Sequence, residues 1–368
     1  MAAEPAVAVD LGALFSLADV EAAALARIPE MAREYLIGGA GDEITLRANR
    51  EAFDRVRLLP RVLRDVSRID TRVGLLGRTH ALPLLLAPTA YHGLFHAGAE
   101  SETARGAERA GVTLVVSTVA TTALDEVARA TAAPKWFQIY CQTDRAHTLE
   151  RMRLAEASGY EAFVLTVDTP VLGARNREKR TAFHLPEPLR MANFPASLGS
   201  YTPNQHHDPH GIYNPFLDPS LGWKDVDWMR EHSNLPLLLK GVLAPEDARL
   251  AVEHGAAGVI VSNHGGRNLD TVPATLEALP GIARAVGGRV PLLLDGGIRR
   301  GTDVIKALAL GADAVLIGRP FVCGLALAGA RGVERVVEIL SLELQMAMAL
   351  LGAPNLDEIG PQVLWREG

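Results

Sequence analysis

The chain has 368 residues, 48% hydrophobic and 22% charged, with a formal net charge of -6. That balance describes a globular protein with ample core, in one large or two ordinary domains, and excludes a global basic footprint for nucleic acid or an anionic membrane. Only Cys141 and Cys323 occur, too few for a disulfide framework, and no apolar run is long enough to span a bilayer.

In chain order, the N-terminus carries acids early and no basic start ahead of an apolar stretch, so it does not read as a signal peptide. With the two cysteines this predicts a reducing, cytoplasmic setting. Residues 16–58 read as helices: Ser16 caps a segment over 17–28, and Pro29 opens a second that carries Tyr35 on its last turn before the Gly38–Gly39 break. Residues 58–82 read as a short extended lead-in punctuated by Pro60 and Gly77.

From Leu82 a rhythm governs the rest. The runs at 82–90, 113–118, 135–140, 162–168, 235–240, 258–263, 290–295 and 314–318 are short, almost wholly apolar and bounded by turn residues. Amphipathic helical patterns such as 245–255 and 301–312 lie between most of them and end at Gly. Eight strands alternating with helices predict a (β/α)8 TIM barrel over 81–330, preceded by the N-terminal helices and lead-in of 1–80 and followed by a helix and tail over 331–368. A doubly wound sheet is the alternative, but APTAYHG after the first strand is not its Gly-rich turn. The long interval after the fourth strand predicts a lid or a solvated loop. Its His206, His207 and His210 invite a metal, yet the composition favours a solvated loop, and no metal is assigned. The helical run 335–352 is expected to pack on the barrel or on another subunit.

The C-terminal ends of the eight runs place Pro88, Thr89 and Ala90, then Ser117, Gln138, Tyr140, Thr166, Asp168, Lys240, Ser262, His264, Asp295, Gly318 and Arg319 around one mouth. A buried apolar strand has no packing reason to end in Lys240 or Asp295, so a bound ligand is the economical explanation. In VIVSNHGGRNLD an acid/base group, His264, stands three residues from a carboxylate binder, Arg267, across a glycine bend. DGGIRRGTDV and GADAVLIGRP each run from strand through glycine turn to Arg and helix start. In a barrel that pair of loops forms a phosphate cradle, here with Gly297, Arg299 and Arg319. Ser117, Gln138 and Thr166 suit a planar heterocycle, and Lys240 suits one that becomes negative on reduction. Flavin mononucleotide (FMN) meets that inventory.

With SNHGGRNLD, LTVDTP, LLLKGVL, LDGGIRRGTDV and IGRP in order, the chain from about Leu17 to Leu351 resembles the FMN-dependent 2-hydroxy acid oxidising family, which includes glycolate, lactate and hydroxymandelate oxidases. The resemblance implies the same barrel and bound FMN. It makes His264 the catalytic base, with Asp168 raising its proton affinity and orienting the ring. Arg175, Arg267 and Tyr35 would hold the substrate carboxylate, and Tyr140 would bond near the substrate oxygen. Flavin contacts would fall on Pro88, Thr89, Ala90, Ser117, Gln138, Thr166, Lys240, Ser262, Asp295, Gly297, Arg299, Gly318 and Arg319. An (S)-2-hydroxy acid would become the 2-oxo acid, by hydride or carbanion, with oxygen as acceptor and hydrogen peroxide as product. A homo-oligomer, a tetramer, is implied.

Val119 stands where plant glycolate oxidases carry a bulky tryptophan, which implies a substrate side chain larger than that of glycolate, of lactate, longer-chain or mandelate type. Tyr91 and His92 either line the site or support the first βα loop. The polar loop after the fourth strand argues against membrane docking. The alternatives are a dehydrogenase with a quinone or protein acceptor, a lactate 2-monooxygenase and, more distantly, an FMN-dependent isomerase.

Overall fold

The computed structural model describes residues 9–195, 212–213 and 217–365. A hairpin of β1 (Val73–Leu75) and β2 (Arg78–His80) precedes β3 (Leu84–Leu86), β4 (Thr113–Ser117), β5 (Lys135–Ile139), β6 (Ala162–Thr166), β7 (Leu237–Val242), β8 (Gly258–Val261), β9 (Leu292–Leu294) and β10 (Ala314–Ile317). From β3 onward each strand pairs in parallel with the next, and β10 closes on β3 through Val315–Leu84, Leu316–Leu85 and Ile317–Leu86. The ring, with helices between its strands, is the (β/α)8 barrel, and its closure rules out the open doubly wound sheet.

The strands are continuously apolar because both their faces are buried. Leu85, Val115, Trp136, Val164, Leu238, Ile260, Leu293 and Leu316 form one cluster, filling the barrel interior. Their alternating neighbours, such as Leu84, Leu86, Val116 and Phe163, join the larger cluster shared with the helices. The hairpin is absent from the sequence reading of 58–82. Leu76 and Gly77 turn with φ of 50° and 80°, the pairing that a tight hairpin favours. Leu75 thereby joins the interior cluster. Thr113 and Glu161, at the N-terminal ends of β4 and β6, bond His80 and Arg78, so the hairpin seals the bottom of the barrel and leaves the strands' C-terminal ends as its mouth.

Several boundaries move, most of them by a few residues. The first helix spans Leu17–Leu25, three residues short of 28, although Ser16 and Asp19 form the capping box that starts it. The C-terminal helix begins at Arg319 rather than near 335 and reaches Leu351, broken at Ala328 and Gly329, which leave helical geometry. β7 extends two residues past Lys240, because Gly241 makes a bulge that shifts its register with β8. Gly241 has φ 108°, and a Cβ there would lie 2.5 Å from the Asp168 Cβ. Only glycine lets β7 pass this close to Asp168 while keeping Lys240 buried. His206, His207 and His210 fall outside the described residues.

Gly241→Ala is expected to cost roughly 1–3 kcal/mol or more, since it combines a disallowed φ with a clash against the root of the Asp168 side chain. Denaturant unfolding of the purified variant checks this, and an unchanged midpoint would contradict the assigned role.

Candidate active site

At the end of β8 the chain turns through His264, Gly265 and Gly266, with φ of 58°, 62° and 75°. Three consecutive left-handed residues fold the backbone sharply, and two are glycines because a side chain there is strained. Gly266 has a second reason: a Cβ would meet the Leu46 backbone at 2.8 Å. His264 tolerates the conformation because it is held at several points. Its N–H donates to Ser262 Oγ at 3.1 Å, and its Nδ1 lies 3.0 Å from Asp168 Oδ1.

That ring geometry sets the proton inventory. Nδ1 faces a carboxylate and therefore carries the hydrogen, which leaves Nε2 as an acceptor toward the cleft, 3.4 Å from the Tyr140 hydroxyl. Thr169 donates to Asp168 Oδ1 at 2.9 Å, and Asn268 donates to Thr169 Oγ1 at 2.7 Å. Burial pulls the His264 pKa down, and although Asp168 raises it, the net shift is downward. Asp168 thus opposes, without overcoming, the effect of burial on its partner. The pair favours neutral imidazole beside ionised carboxylate, because His264 holds the Asp168 pKa below its ordinary value despite burial. Burial raises the Tyr140 pKa, so its hydroxyl remains a donor.

A second buried pair lies across the mouth. Lys240 Nζ sits 3.0 Å from Asp295 Oδ2 and donates to Ser262 Oγ at 2.9 Å. Burial opposes its charge, but Asp295 and Asp168 outweigh that and keep it cationic. Gln138 bridges the floor, accepting from Ser117 Oγ and donating to Thr166 Oγ1, each at 3.0 Å. Gly297, Arg299, Gly318 and Arg319 line one end of the same cleft. Among the described residues, Arg319 donates to the carbonyls of Leu36, Gly38 and Gly265. Its burial, with Arg267 and Arg299 nearby, pushes its pKa down to about 9. Arg299 pairs with Glu21 at 3.4 Å, whereas Arg319 has no acid paired to it among the described residues.

Beside Arg319, with which it shares the Gly38 carbonyl, the Arg267 guanidinium lies over the Tyr35 ring, 4.8 Å from its centroid, and Nη1 donates to the carbonyls of Tyr35 and Gly38 at 2.7 and 2.9 Å. Arg175 lies beside it, with Nε 3.4 Å from the Arg267 carbonyl. Above these arginines stand Tyr91, Phe183, Met191 and Leu217 as one apolar cluster with Tyr35, against which Ala90, Phe95, Val119 and Leu172 pack.

Of the residues singled out in the sequence, Tyr35, Pro88, Thr89, Ala90, Ser117, Val119, Gln138, Tyr140, Thr166, Arg175, Lys240, His264, Arg267, Asp295, Gly297, Arg299, Gly318 and Arg319 line this one cleft. Asp168 and Ser262 stand behind it, each bonded to His264. Tyr91 lines the cleft. His92 instead supports the first βα loop, its ring bonded to Thr89 at 2.6 Å and Thr103 at 2.9 Å. Sequence reasoning missed Glu178, Phe183, Met191 and Leu217, which carry no motif, and Thr169 and Asn268, which flank residues it did select.

The family model described as FMN-dependent dehydrogenase matches residues 24–366. The chain belongs to that family. Its relatives include L-lactate oxidase of Nostoc sp., 47% identical over 95% of this chain and 97% of the relative, and glycolate oxidase of Spinacia oleracea, 45% identical over 93% of each. Among solved structures, mandelate oxidase with (S)-2-phenylpropionate superposes with a TM-score of 0.87 at 42% identity, covering 96% of this chain and 98% of that one.

The cleft fits the family's cofactor. Arg319 is buried with no acid paired to it among the described residues and would hold a phosphate, Asp295 Oδ1 is buried with no partner among them, and Gln138, Thr166 and Lys240 would hold a planar heterocycle. Arg319→Leu is expected to raise the FMN dissociation constant by about tenfold or more, through loss of a buried charged partner. Titrating apoprotein with FMN by fluorescence quenching measures it, and wild-type affinity in the variant would remove Arg319 from the cradle.

Proposed function

We propose that the protein oxidises an (S)-2-hydroxy acid with a side chain larger than that of glycolate to the 2-oxo acid, with dioxygen reduced to hydrogen peroxide. The observation that carries this is the convergence of a neutral His264 Nε2, two guanidiniums and an apolar wall on one cleft that also fits FMN. Such an acid presents a carboxylate, a hydroxyl and an organic side chain, and the cleft offers a complement to each.

FMN, when bound, supplies the two-electron redox chemistry of the site. Arg175 and Arg267 hold the carboxylate, with Tyr35 fixing the plane of the Arg267 guanidinium. The Tyr140 hydroxyl donates to the substrate oxygen. His264 accepts a proton at Nε2 while Asp168 holds Nδ1–H and stabilises the imidazolium that results. Anchoring the carboxylate and seating the side chain against Tyr91, Phe183 and Met191 leave one orientation of the α-carbon, which supports selectivity for one enantiomer. Val119 adds little bulk to that wall, in keeping with a lactate, longer-chain or mandelate-type acid. The relatives named as oxidases of lactate, glycolate and mandelate support the same substrate class.

The decisive experiment mixes the protein anaerobically with (S)-lactate, glycolate, (S)-2-hydroxyoctanoate and (S)-mandelate, then admits air. Bleaching of the flavin by the larger acids and prompt recovery with stoichiometric peroxide are expected. Recovery only with a quinone would make the enzyme a dehydrogenase, and no bleaching would refute the substrate class. His264→Gln should lower the rate of bleaching by about two to four orders of magnitude. Because the base must be neutral and burial lowers its pKa from 6.5, wild-type kcat/KM should decline only as pH falls below that ordinary value. An acid limb centred above it would contradict this assignment.

We include self-association in the proposal. Leu342, Met346 and Leu350 recur every four residues on the C-terminal helix and are 59%, 50% and 79% exposed, an apolar stripe suited to another copy of the chain. Sedimentation should show an oligomer that a charge at the centre of the stripe, Met346→Glu, dissociates; a monomeric wild type would refute it.

A further inference from the structure

One buried acid in the cleft has no part in the reaction proposed above. Glu178 sits on the short helix Asn176–Arg180, with its side chain 4% exposed. Its Oε1 accepts from Arg267 Nη2 at 2.8 Å and lies 3.6 Å from Arg175 Nη1. A single carboxylate oxygen thus stands between the two guanidiniums assigned to the substrate carboxylate. It is firmly placed. The neighbouring Arg177 pairs with Glu34 at 2.8 Å and Glu43 at 2.6 Å, tying this helix to the N-terminal segment that carries Tyr35, and the Glu178 carbonyl accepts from Phe183 N at 2.9 Å.

Two like charges held side by side out of water need an anion. Glu178 meets that need before any ligand arrives. With two arginines and one glutamate, the formal charge of the trio is +1 rather than +2. An incoming carboxylate therefore meets donors that are already partly engaged, with a like charge behind them. The 2-oxo acid product carries the same carboxylate as the substrate, so a clamp of full strength would hold both equally and slow product departure without speeding the chemistry.

We propose that Glu178 is a positioning residue that acts as the built-in counter-anion of the carboxylate clamp, keeping Arg175 and Arg267 convergent and competing with the ligand for Arg267 so that product is released. This rests on the assignment of the cleft to 2-hydroxy acids.

Glu178→Gln preserves length and one acceptor for Arg267 while removing the charge. The dissociation constant of the 2-oxo acid, read from perturbation of the flavin spectrum, and KM for the 2-hydroxy acid should both fall about tenfold, the scale of one charge removed nearby in a partly buried site. Affinity for the corresponding neutral 2-hydroxy amide should not change. Glu178→Asp, which keeps the charge, should retain the wild-type preference between acid and amide. If acid and amide move by the same factor in Glu178→Gln, or the acid binds more weakly, Glu178 is structural only and the proposal fails. If no 2-hydroxy acid reduces the wild-type flavin, the assignment of the cleft fails and this proposal with it. A wild type that is reduced beside a Gln variant with unaltered acid affinity overturns the role of Glu178 alone.

Discussion

Charge buried at the mouth of the barrel must be answered by charge, and the site is built around that requirement. Asp168 and Lys240 are both largely removed from water, where an isolated ion would be too costly to keep. Lys240 answers both carboxylates, lying 3.0 Å from Asp295 and attracting Asp168, while neutral His264 donates Nδ1–H to Asp168 at 3.0 Å. Ser262 joins the two pairs, taking hydrogen bonds from Lys240 Nζ and from the His264 backbone. The proton acceptor and the cation beside the cofactor pocket therefore form one electrostatic unit, and the bulge at Gly241 is what gives Asp168 room within it.

The rest of the cleft divides by chemistry. Arg299 and Arg319 stand by the glycine turns, Gln138 links neutral hydrogen-bonding groups across the floor, and Arg175 and Arg267 meet an aromatic wall. Tyr35 serves both sides of that last boundary. Its ring stacks on Phe183 with centroids 4.6 Å apart and also lies under the Arg267 guanidinium. A flat aromatic face can meet an apolar ring and a planar cation with equal ease.

The barrel was legible because parallel strands buried on both faces leave unbroken apolar runs, and the polar side chains that end those runs were legible because nothing in packing accounts for them. Glu178 was not. In NREKR it reads as one charge on a solvated helical face, and only the folded chain shows that this face is turned into the cleft. Phe183, Met191 and Leu217 come from separated stretches with no shared period, so their joining with Tyr91 is a property of topology alone. The hairpin escaped notice for a different reason: β1 and β2 have three residues each, and Gly77 gives the only local sign of their turn. His92 shows how a polar residue close to the mouth can serve the loop instead of the ligand.

The arginines of the cleft also tie the beginning of the chain to its end. Arg267 donates to the carbonyls of Tyr35 and Gly38, and Arg319 to those of Leu36 and Gly38, across separations of 229 to 283 residues. Contacts of such span close large loops and form late in folding. The helix bearing Tyr35 leaves the ribosome well before the groups that satisfy its C-terminal carbonyls. A chain that has completed only the earlier strands lacks those donors, so assembly of the catalytic cleft is coupled to synthesis through Arg319.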